Sequence, residues 1–403
     1  MAFDQPLHLD KDRHVKYWKR CSNLLPEPYT AGDASRMSLG FFIVAALDLL
    51  DVLESVISAR QRQSWIDWVY SCQVPDGGFR GFTGTSLGGL RNPYNWHWDP
   101  ANVPNTYFAL SILLILGDDL GRVKRKECLA WLSRLQLQNG SFGEILGEDD
   151  HIEGGNDMRL CCCAAGIARI LQSEDDGLEA LAFDQTKMLQ YIVNCQSHDG
   201  GFGQAPLLEA HSGLNYCAVA ALSFLGAMKS PGIDATAMAR QAGVSILSCT
   251  TWMLDRQTTW IDEDDLEDDG GEGGEERGGE HDGGKPETQQ KRGLSMSSLQ
   301  QHLPTENPIA GFNGRCGKVA DTCYCFWNVG ALAVSLHSSR HSDRIRPSLI
   351  LPDLATTPVG PCVCDEKISS PEGGAFHRRI RQRTRRASGL VHGLDTKRVP
   401  HAD

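Results

Sequence analysis

The chain has 403 residues, of which 41% are hydrophobic, and this is enough apolar sequence to bury one large domain or two smaller ones. Its formal net charge is -12, but twelve acidic residues against one Arg lie in the segment 262–284, so the remainder is nearly neutral. Because the chain carries no overall surplus of Lys and Arg, its composition argues against a nucleic-acid-binding protein.

The N-terminal segment, MAFDQPLHLDKDRHVKYWKR, lacks the apolar region of a signal peptide, and no later window has the uninterrupted apolar length that a bilayer requires. We therefore expect a cytoplasmic protein. The fourteen cysteines agree with this compartment, since they occur inside apolar helical patterns such as 161–163 and are best explained as reduced, buried thiols.

A turn motif organises the middle of the chain. After an N-terminal arm at 1–32, an amphipathic helix is predicted over 36–58, and the motif follows as CQVPDGGF, LQLQNGSF and CQSHDGGF, ending at Phe79, Phe142 and Phe202. A degenerate copy, PIAGF, ends at Phe312. The first three copies are 63 and 60 residues apart, which is long enough for two helix pairs per step and indicates internal repetition.

Each turn is followed by an apolar helical pattern: TYFALSILLILG, RLCCCAAGIARIL, NYCAVAALSFLG and CYCFWNVGALAVSL. Strand patterns are nearly absent, so the sequence predicts an all-α fold of repeated helical hairpins. The periodicity alone permits either a closed α/α barrel or an open solenoid. The repeated region extends over 33–336 and is interrupted by a polar, acidic insertion at 262–298, predicted to be disordered, while 337–403 forms an irregular tail without helical periodicity.

The segment 311–327, GFNGRCGKVADTCYCFW, concentrates chemistry. Arg315, Lys318, Asp321 and Tyr324 recur at every third position, and Cys323 precedes the last of them. A carboxylate and a thiolate two positions apart cannot share one helix face, so we expect Asp321 as an N-cap with Cys323 in the first helical turn, where both could reach one Zn²⁺. Spacing alone favours a plainer interpretation, an ordinary N-cap beside a small buried thiol.

The pattern R-x-x-K-x-x-D-x-C-Y-x-F-W in this segment resembles the zinc and diphosphate segment of protein prenyltransferase β subunits. The resemblance implies a closed α/α barrel with one catalytic zinc per β subunit, held by Asp321 and Cys323. It also implies that Arg315, Lys318 and Tyr324 hold an isoprenoid diphosphate and that Trp327 lines the isoprenoid site. Zinc would lower the pKa of a substrate thiol, and fixed cations would stabilise the departing diphosphate.

Two further segments resemble the same family. LLEAHSGLNYC matches the motif E-x-H-G-G, which implies a diphosphate contact for His211, with Ser212 in place of one Gly; NDMRLCCC implies a cavity-lining role for Arg159. The alternatives are an ordinary helix-end His and a surface Arg.

The segment SRMSLGFF resembles the part of the family that sets isoprenoid length, at Ser38, and contacts the peptide, at Phe42. Farnesyl enzymes carry Trp at the first position and type I geranylgeranyl enzymes carry Thr, so the small Ser38 predicts a pocket for the twenty-carbon chain. The alternative is a Ser that the helix merely tolerates. LLILGDDLGRV at 113–123 adds a likeness to type I β subunits.

The resemblance therefore implies transfer of geranylgeranyl from its diphosphate to the cysteine of a C-terminal C-a-a-X sequence, X usually Leu, on proteins such as Rho-type small GTPases. The partner would be a helical prenyltransferase α subunit; the sequence does not indicate whether Mg²⁺ is also required. Alternatives are a farnesyl or Rab-type enzyme, an inactive truncated product and a terpene cyclase. Asp262, Asp264 and Asp265 spell the cyclase motif D-x-D-D, but they open the acidic run.

The third zinc ligand of the family is a His in an apolar helix near the C-terminus, and the resemblance, which covers about 33–336, does not extend to such a helix. His377 and His392 are the nearest candidates, in a tail that resembles a frame-shifted or mis-spliced end. Since catalytic zinc ordinarily has three protein ligands, we expect a genuine tail of this kind to weaken metal binding and turnover.

Overall fold

The computed structural model describes residues 10–23, 32–172, 183–229, 235–259 and 311–339. Within these ranges it contains twelve α-helices: α1 Lys11–Asn23, α2 Arg36–Leu49, α3 Leu53–Val56, α4 Ala59–Ser71, α5 Val103–Ile115, α6 Arg125–Arg134, α7 Met158–Leu171, α8 Gln185–Asn194, α9 Ser212–Lys229, α10 Ala235–Ala242, α11 Ile246–Leu254 and α12 Thr322–Ser339. The strands there are two-residue pairs, β1 Ile145–Leu146 with β2 Ile152–Glu153 and β3 Gln257–Thr258 with β4 Gly311–Phe312. The predicted all-α class is confirmed.

The helices form two layers. Helices α2, α5, α7, α9 and α12 pack against one another in that order and form the inner series, while α4, α6, α8 and α11 each pack outside the inner helix that follows them. Helix α10 also packs against both α9 and α12. Helix α1, in the predicted N-terminal arm, packs on α2. The inner helices are apolar on most sides because they are covered by neighbours; in α7, Met158, Ala164 and Ile167 are fully buried.

The repeated turn has one hydrogen-bonded form. Gln73 pairs with Phe79, Gln136 with Phe142 and Gln196 with Phe202 in isolated antiparallel bridges, and all three Phe side chains are fully buried. Gln257 pairs with Phe312 in the same manner across β3 and β4, so the degenerate fourth copy is confirmed. The chain leaves this turn after Thr259 and returns at Gly311, and the predicted insertion at 262–298 lies between them, outside the described residues.

A glycine in the turn permits close packing of successive repeats. Gly140 has a φ of 91°, and a Cβ atom there would lie 2.0 Å from the carbonyl oxygen of Lys187 in α8. Gly77 likewise has a φ of 113°, and its Cβ would lie 2.3 Å from the Glu127 carbonyl oxygen in α6. The positive φ favours glycine at both positions, and the close approach to the next outer helix is a second reason for their identity.

Two expectations about the helices were wrong. The first two steps of the repeat each hold one inner and one outer helix rather than two pairs, and the described part of the third step adds only α10. The connections between the helices are long; the loop before α5 contains the 3₁₀ turns Thr83–Thr85, Gly88–Leu90 and Trp96–Trp98. The helix predicted over 36–58 ends at Leu49, because Asp51 has a φ of 60°, which an α-helix does not accommodate.

None of the described helices is long and apolar enough to cross a membrane. The cysteines within the described ranges are free thiols and most are buried, as predicted, but Cys316 and Cys323 are exposed. These two lie in the segment 311–327, where the sequence concentrates its polar chemistry.

Candidate functional site at the inner-helix N-termini

Four inner helices begin at polar residues whose side chains cap them. The side chains of Asn102, Asp157, His211 and Asp321 accept hydrogen bonds from the backbone amides of Asn105 (3.0 Å), Arg159 (2.8 Å), Gly213 (3.1 Å) and Cys323 (2.7 Å), at the starts of α5, α7, α9 and α12. These caps satisfy amides that a helix start leaves without intrahelical partners.

The four helix starts lie along one rim. The amide of Val103 in α5 donates to the carbonyl of Glu144, that of Met158 in α7 to Gln204, and that of Ser212 in α9 to Gly314, each at 3.0 Å. Every acceptor is the second residue after the Phe of the next turn, so each inner helix is tied to the loop that leads into its neighbour. The positive ends of the helix dipoles therefore gather at this rim, a favourable place for an anion.

The start of α12 has the geometry predicted from the sequence. The amide of Asp321 donates to the carbonyl of Phe312 at 3.0 Å, and its carboxylate caps Cys323 in the first turn. Hydrogen bonds from Cys323 hold the pKa of Asp321 below its ordinary value, while desolvation and the neighbouring carboxylate raise the pKa of the Cys323 thiol to about 11. The predicted N-cap and first-turn positions are confirmed, and both side chains are exposed.

His211 and Tyr324 meet across α9 and α12. Nε2 of His211 lies 3.3 Å from the Tyr324 hydroxyl oxygen, and the two rings are arranged edge to face. Because Nδ1 accepts from the Gly213 amide, Nε2 carries the proton in the neutral imidazole and points toward Tyr324. Burial and the charge of Arg315 lower the pKa of His211, and burial raises that of Tyr324, so both groups are neutral hydrogen-bonding side chains at neutral pH.

Two cationic side chains act on this pair, and a third lies in the loop before α12. Arg315, in the loop before α12, lies 3.2 Å from Glu209 in an exposed ion pair, and Lys318 is exposed in the same loop. Arg159 in the first turn of α7 pairs with Asp157 at 2.6 Å and remains 66% exposed. The charges of Arg315 and Arg159 both act on His211, which brings residues from three helix starts into one electrostatic neighbourhood.

Aromatic and thiol side chains lie below the rim. The ring of Trp327 is 5.0 Å from that of Tyr216, and Tyr107 packs toward Phe224 at 6.4 Å. Cys217 hydrogen bonds with Cys162 on the neighbouring helix, and this contact together with burial raises its pKa well above the ordinary value. Tyr107, Tyr216 and Cys217 are not among the predicted site residues, although Tyr107 and Tyr216 occupy matching positions in the apolar pattern after their turns.

Ser38 and Phe42 lie at the other end of the inner series, on α2. The Ser38 hydroxyl is 3.4 Å from the side-chain oxygen of Asn105, and Phe42 is 50% exposed with its ring 6.1 Å from that of Phe108. Along the described inner series, α5, α7 and α9 intervene between these residues and α12. The described contacts link Ser38 and Phe42 to α5 rather than to the cationic cluster.

The described residues provide two candidate metal donors. A carboxylate and a thiolate on one helix start suit Zn²⁺, and both Asp321 and Cys323 are exposed there. The part of the chain that the structure describes holds no group of three His, Cys, Asp or Glu side chains able to bind a metal. His377, His392 and the D-x-D-D residues Asp262, Asp264 and Asp265 lie outside the described ranges.

The sequence matches the family of the prenyltransferase alpha-alpha toroid domain over residues 9–366. The chain therefore belongs to this family, whose toroid is the closed α/α barrel that the resemblance implied. The resemblance to prenyltransferase β subunits stated from residues 311–327 is thereby confirmed.

Individual relatives are β subunits of two kinds of protein prenyltransferase. The chain is 30% identical to the geranylgeranyl transferase type-1 subunit beta of Arabidopsis thaliana, over 81% of this chain and 72% of the relative. It is 36% identical to the subunit of the same name from Dictyostelium discoideum, over 54% of this chain and 64% of that relative. Identity to the protein farnesyltransferase subunit beta of Schizosaccharomyces pombe is 26%, over 81% of this chain and 62% of the relative.

A solved structure supports the fold. The Candida albicans protein geranylgeranyltransferase-I complexed with GGPP superposes with a TM-score of 0.58 at 20% identity, covering 83% of this chain and 80% of that chain. At this level of identity the likeness establishes the arrangement of helices and leaves the roles of single residues to chemical argument.

Proposed function

We propose that this chain is the β subunit of a cytoplasmic protein geranylgeranyltransferase type I, acting as a heterodimer with a helical α subunit. It would transfer geranylgeranyl from geranylgeranyl diphosphate to the cysteine of C-terminal C-a-a-X sequences, X usually Leu, on proteins such as Rho-type small GTPases. The observation that carries the proposal is the meeting of His211, Tyr324 and Arg315 directly beside Asp321 and Cys323.

The cationic cluster suits a diphosphate. Neutral His211 and Tyr324 offer hydrogen-bond donors, while Arg315, Lys318 and Arg159 offer fixed positive charge at a rim of helix N-termini. As the bond between the isoprenoid and its diphosphate breaks, negative charge accumulates on the leaving group. Donors and cations held in place before the reaction stabilise that charge without reorganising.

Asp321 and Cys323 would hold the zinc ion, which when bound lowers the pKa of the substrate thiol so that it attacks as thiolate. The N-cap contact fixes the Asp321 carboxylate relative to the first turn that carries Cys323. A third donor would come from outside the described residues, and His377 and His392 are the candidates.

The isoprenoid chain is assigned to the apolar wall below the rim. Trp327, Tyr216 and Tyr107 provide aromatic surface next to the anion site, as an apolar chain attached to a diphosphate requires. Ser38 on α2 is small, and a small residue at the floor leaves room for the twenty-carbon chain.

The test is co-expression of the full chain with a prenyltransferase α subunit and measurement of kcat/KM for geranylgeranyl and farnesyl transfer to C-a-a-X peptides. We expect geranylgeranyl transfer to a peptide ending in Leu to be preferred, and Arg315→Ala to lower kcat/KM by about 100-fold. Preference for farnesyl diphosphate would assign the chain to the farnesyl enzymes, and absence of transfer would identify an inactive product.

Ser38→Trp separates the two prenyl specificities. An indole at the pocket floor removes space for the fourth isoprene unit, so the ratio of kcat/KM should shift toward farnesyl diphosphate by about 10-fold or more. Ser111→Ala removes a hydroxyl that, among the described residues, is bonded only to the Tyr107 carbonyl of its own helix α5; it is the matched control and should leave the ratio unchanged. An unchanged ratio in Ser38→Trp would contradict the role of this position.

A further inference from the structure

A buried hydrogen-bond chain connects α9 to the loop before α12. Ser212, the first residue of α9, is fully buried, and its hydroxyl donates to the carbonyl oxygen of Asn313 at 3.0 Å. The same hydroxyl oxygen accepts from the side-chain amide of Asn328 at 2.9 Å. The backbone amide of Ser212 also donates to the carbonyl of Gly314 at 3.0 Å, so this one residue is bonded to two consecutive residues of the loop.

Asn328 continues the chain on α12. It is fully buried, and its amide nitrogen donates a second hydrogen bond to the carbonyl oxygen of Tyr324 at 2.9 Å. Burying an amide or a hydroxyl without a hydrogen-bond partner costs free energy. The hydrogen bond between Ser212 and Asn328 therefore opposes separation of α9 from α12. The bonds therefore fix the distance between α9 and α12 at the level of the rim.

Each end of this chain is adjacent to a candidate anion-binding residue. Ser212 follows His211 directly, Asn313 lies just before Arg315 in the loop, and Asn328 is bonded to the backbone of Tyr324 itself. The 3.3 Å contact between His211 and Tyr324 depends on the same separation of α9 and α12. The E-x-H-G-G motif has glycine at the position of Ser212. Glycine lacks the hydroxyl on which these hydrogen bonds depend.

We propose that Ser212 and Asn328 are positioning residues that hold His211, Tyr324 and Arg315 in the arrangement that binds the diphosphate. The inference rests on the proposed function and deepens it, since it attributes the fixed positions of the anion-binding side chains to the hydrogen bonds of Ser212 and Asn328. Donors fixed in advance bind an anion more tightly than donors that must be collected on binding.

The experiment uses the full chain co-expressed with its α subunit and compares two ligands, geranylgeranyl diphosphate and geranylgeraniol, which has the same isoprenoid chain without the diphosphate. The first variant is Ser212→Gly, because the E-x-H-G-G motif has glycine at this position. Ser212→Ala and Asn328→Ala are tested beside it. We expect each variant to bind the diphosphate about tenfold more weakly and to bind geranylgeraniol as the wild type does. Ser111→Ala serves as the control and should bind both ligands normally.

The double variant Ser212→Ala with Asn328→Ala tests whether the two residues act together. Residues in one hydrogen-bond chain should give a loss no larger than that of the worse single variant, whereas additive losses would overturn the linkage. Equal weakening of both ligands, or no weakening of either, would also overturn the inference. Wild-type protein that shows no saturable binding of geranylgeranyl diphosphate would contradict the proposed function itself, which distinguishes the two failures.

Discussion

Three turns of the repeat are short and continuous, and the fourth is interrupted by residues 260–310, yet all four share one hydrogen bond. The amide after the Phe donates to the carbonyl before the Gln, from Arg80 to Cys72, Gly143 to Leu135, Gly203 to Cys195 and Asn313 to Arg256, at 2.9 to 3.0 Å. The pairing register therefore does not depend on a short connection. It depends on the residues at the two ends of the turn.

The turns differ in what they do. In the first three, a glycine packs against the outer helix of the next repeat at Glu127, Lys187 or Ser248. The fourth turn leads into the loop of Arg315 and Lys318 and then into the cap of α12. The comparison indicates that the continuous turns stabilise the barrel, whereas the interrupted turn also leads into the residues proposed to bind zinc.

The largest effect should come from removing a donor beside the fourth turn. Cys323→Ala deletes one of two described candidate zinc ligands, so zinc affinity of the αβ complex, measured by competition with a chelator, should fall by about 100-fold or more. Cys316→Ala removes an exposed thiol from the same segment and is the control that should keep zinc. Wild-type zinc affinity in Cys323→Ala would exclude this residue from the metal site.

The metal-free protein adds a pH signature. Because the Cys323 pKa is raised to about 11, its thiolate fraction at neutral pH is small, and its alkylation rate should keep rising with pH up to about that value. Added zinc should protect it. Zinc titrations of His377→Ala and His392→Ala then test whether either supplies a third ligand.

A second comparison removes the core phenylalanine from each of the two kinds of turn. Phe202→Ala empties a fully buried site in a continuous turn and should lower the free energy of unfolding by about 3–5 kcal/mol. Phe312→Ala should cost less stability, because Phe312 is 7% exposed whereas Phe202 is fully buried. It should lower transfer activity more, because the emptied site adjoins the segment that carries Arg315, Asp321 and Cys323. Thermal unfolding and turnover measured on both variants provide the check, and identical profiles would remove the distinction between the turns.

Glycine substitutions give a smaller effect. Gly140→Ala combines a left-handed backbone with a contact to the Lys187 carbonyl and should cost about 2–5 kcal/mol. Gly243→Ala has a similar φ of 82° but no atom within 4 Å, so it should cost about 1 kcal/mol. Equal losses in urea unfolding would show that backbone strain alone explains the glycine in the turn.

The smallest change should follow replacement of 260–310 by a short turn copied from QVPDGGF. If the segment is the solvated insertion that its composition predicts, shortening the loop alters closure entropy by about 0.6 kcal/mol per halving of length and leaves turnover within about twofold. A large loss of geranylgeranyl transfer would assign the segment a role in the site.

The sequence was sufficient for features that are local. Gly-Phe turns, apolar helices and the Asp321 cap follow from residue types within a few positions of one another, and these predictions were confirmed. The family resemblance, rather than local spacing, implied that His211 and Tyr324 lie near one diphosphate. The contact between Ser212 and Asn328 was not predicted, because it depends on how α9 and α12 pack. The fourth turn was recognised only by its second half, PIAGF, because the intervening segment separates that half from Gln257 in the sequence.

The hydrogen bonds that tie each inner helix to the following loop also impose an order on folding during synthesis. The amide of Met37 near the start of α2 donates to the Gly81 carbonyl, and the same relation passes from Val103 to Glu144, from Met158 to Gln204 and from Ser212 to Gly314. Each helix start therefore acquires its acceptor only after the next repeat has left the ribosome, which favours vectorial assembly from the N-terminal side. His211 is translated well before Gly314, so its surroundings are completed later than those of the three earlier helix starts, once the ribosome has translated the whole acidic segment.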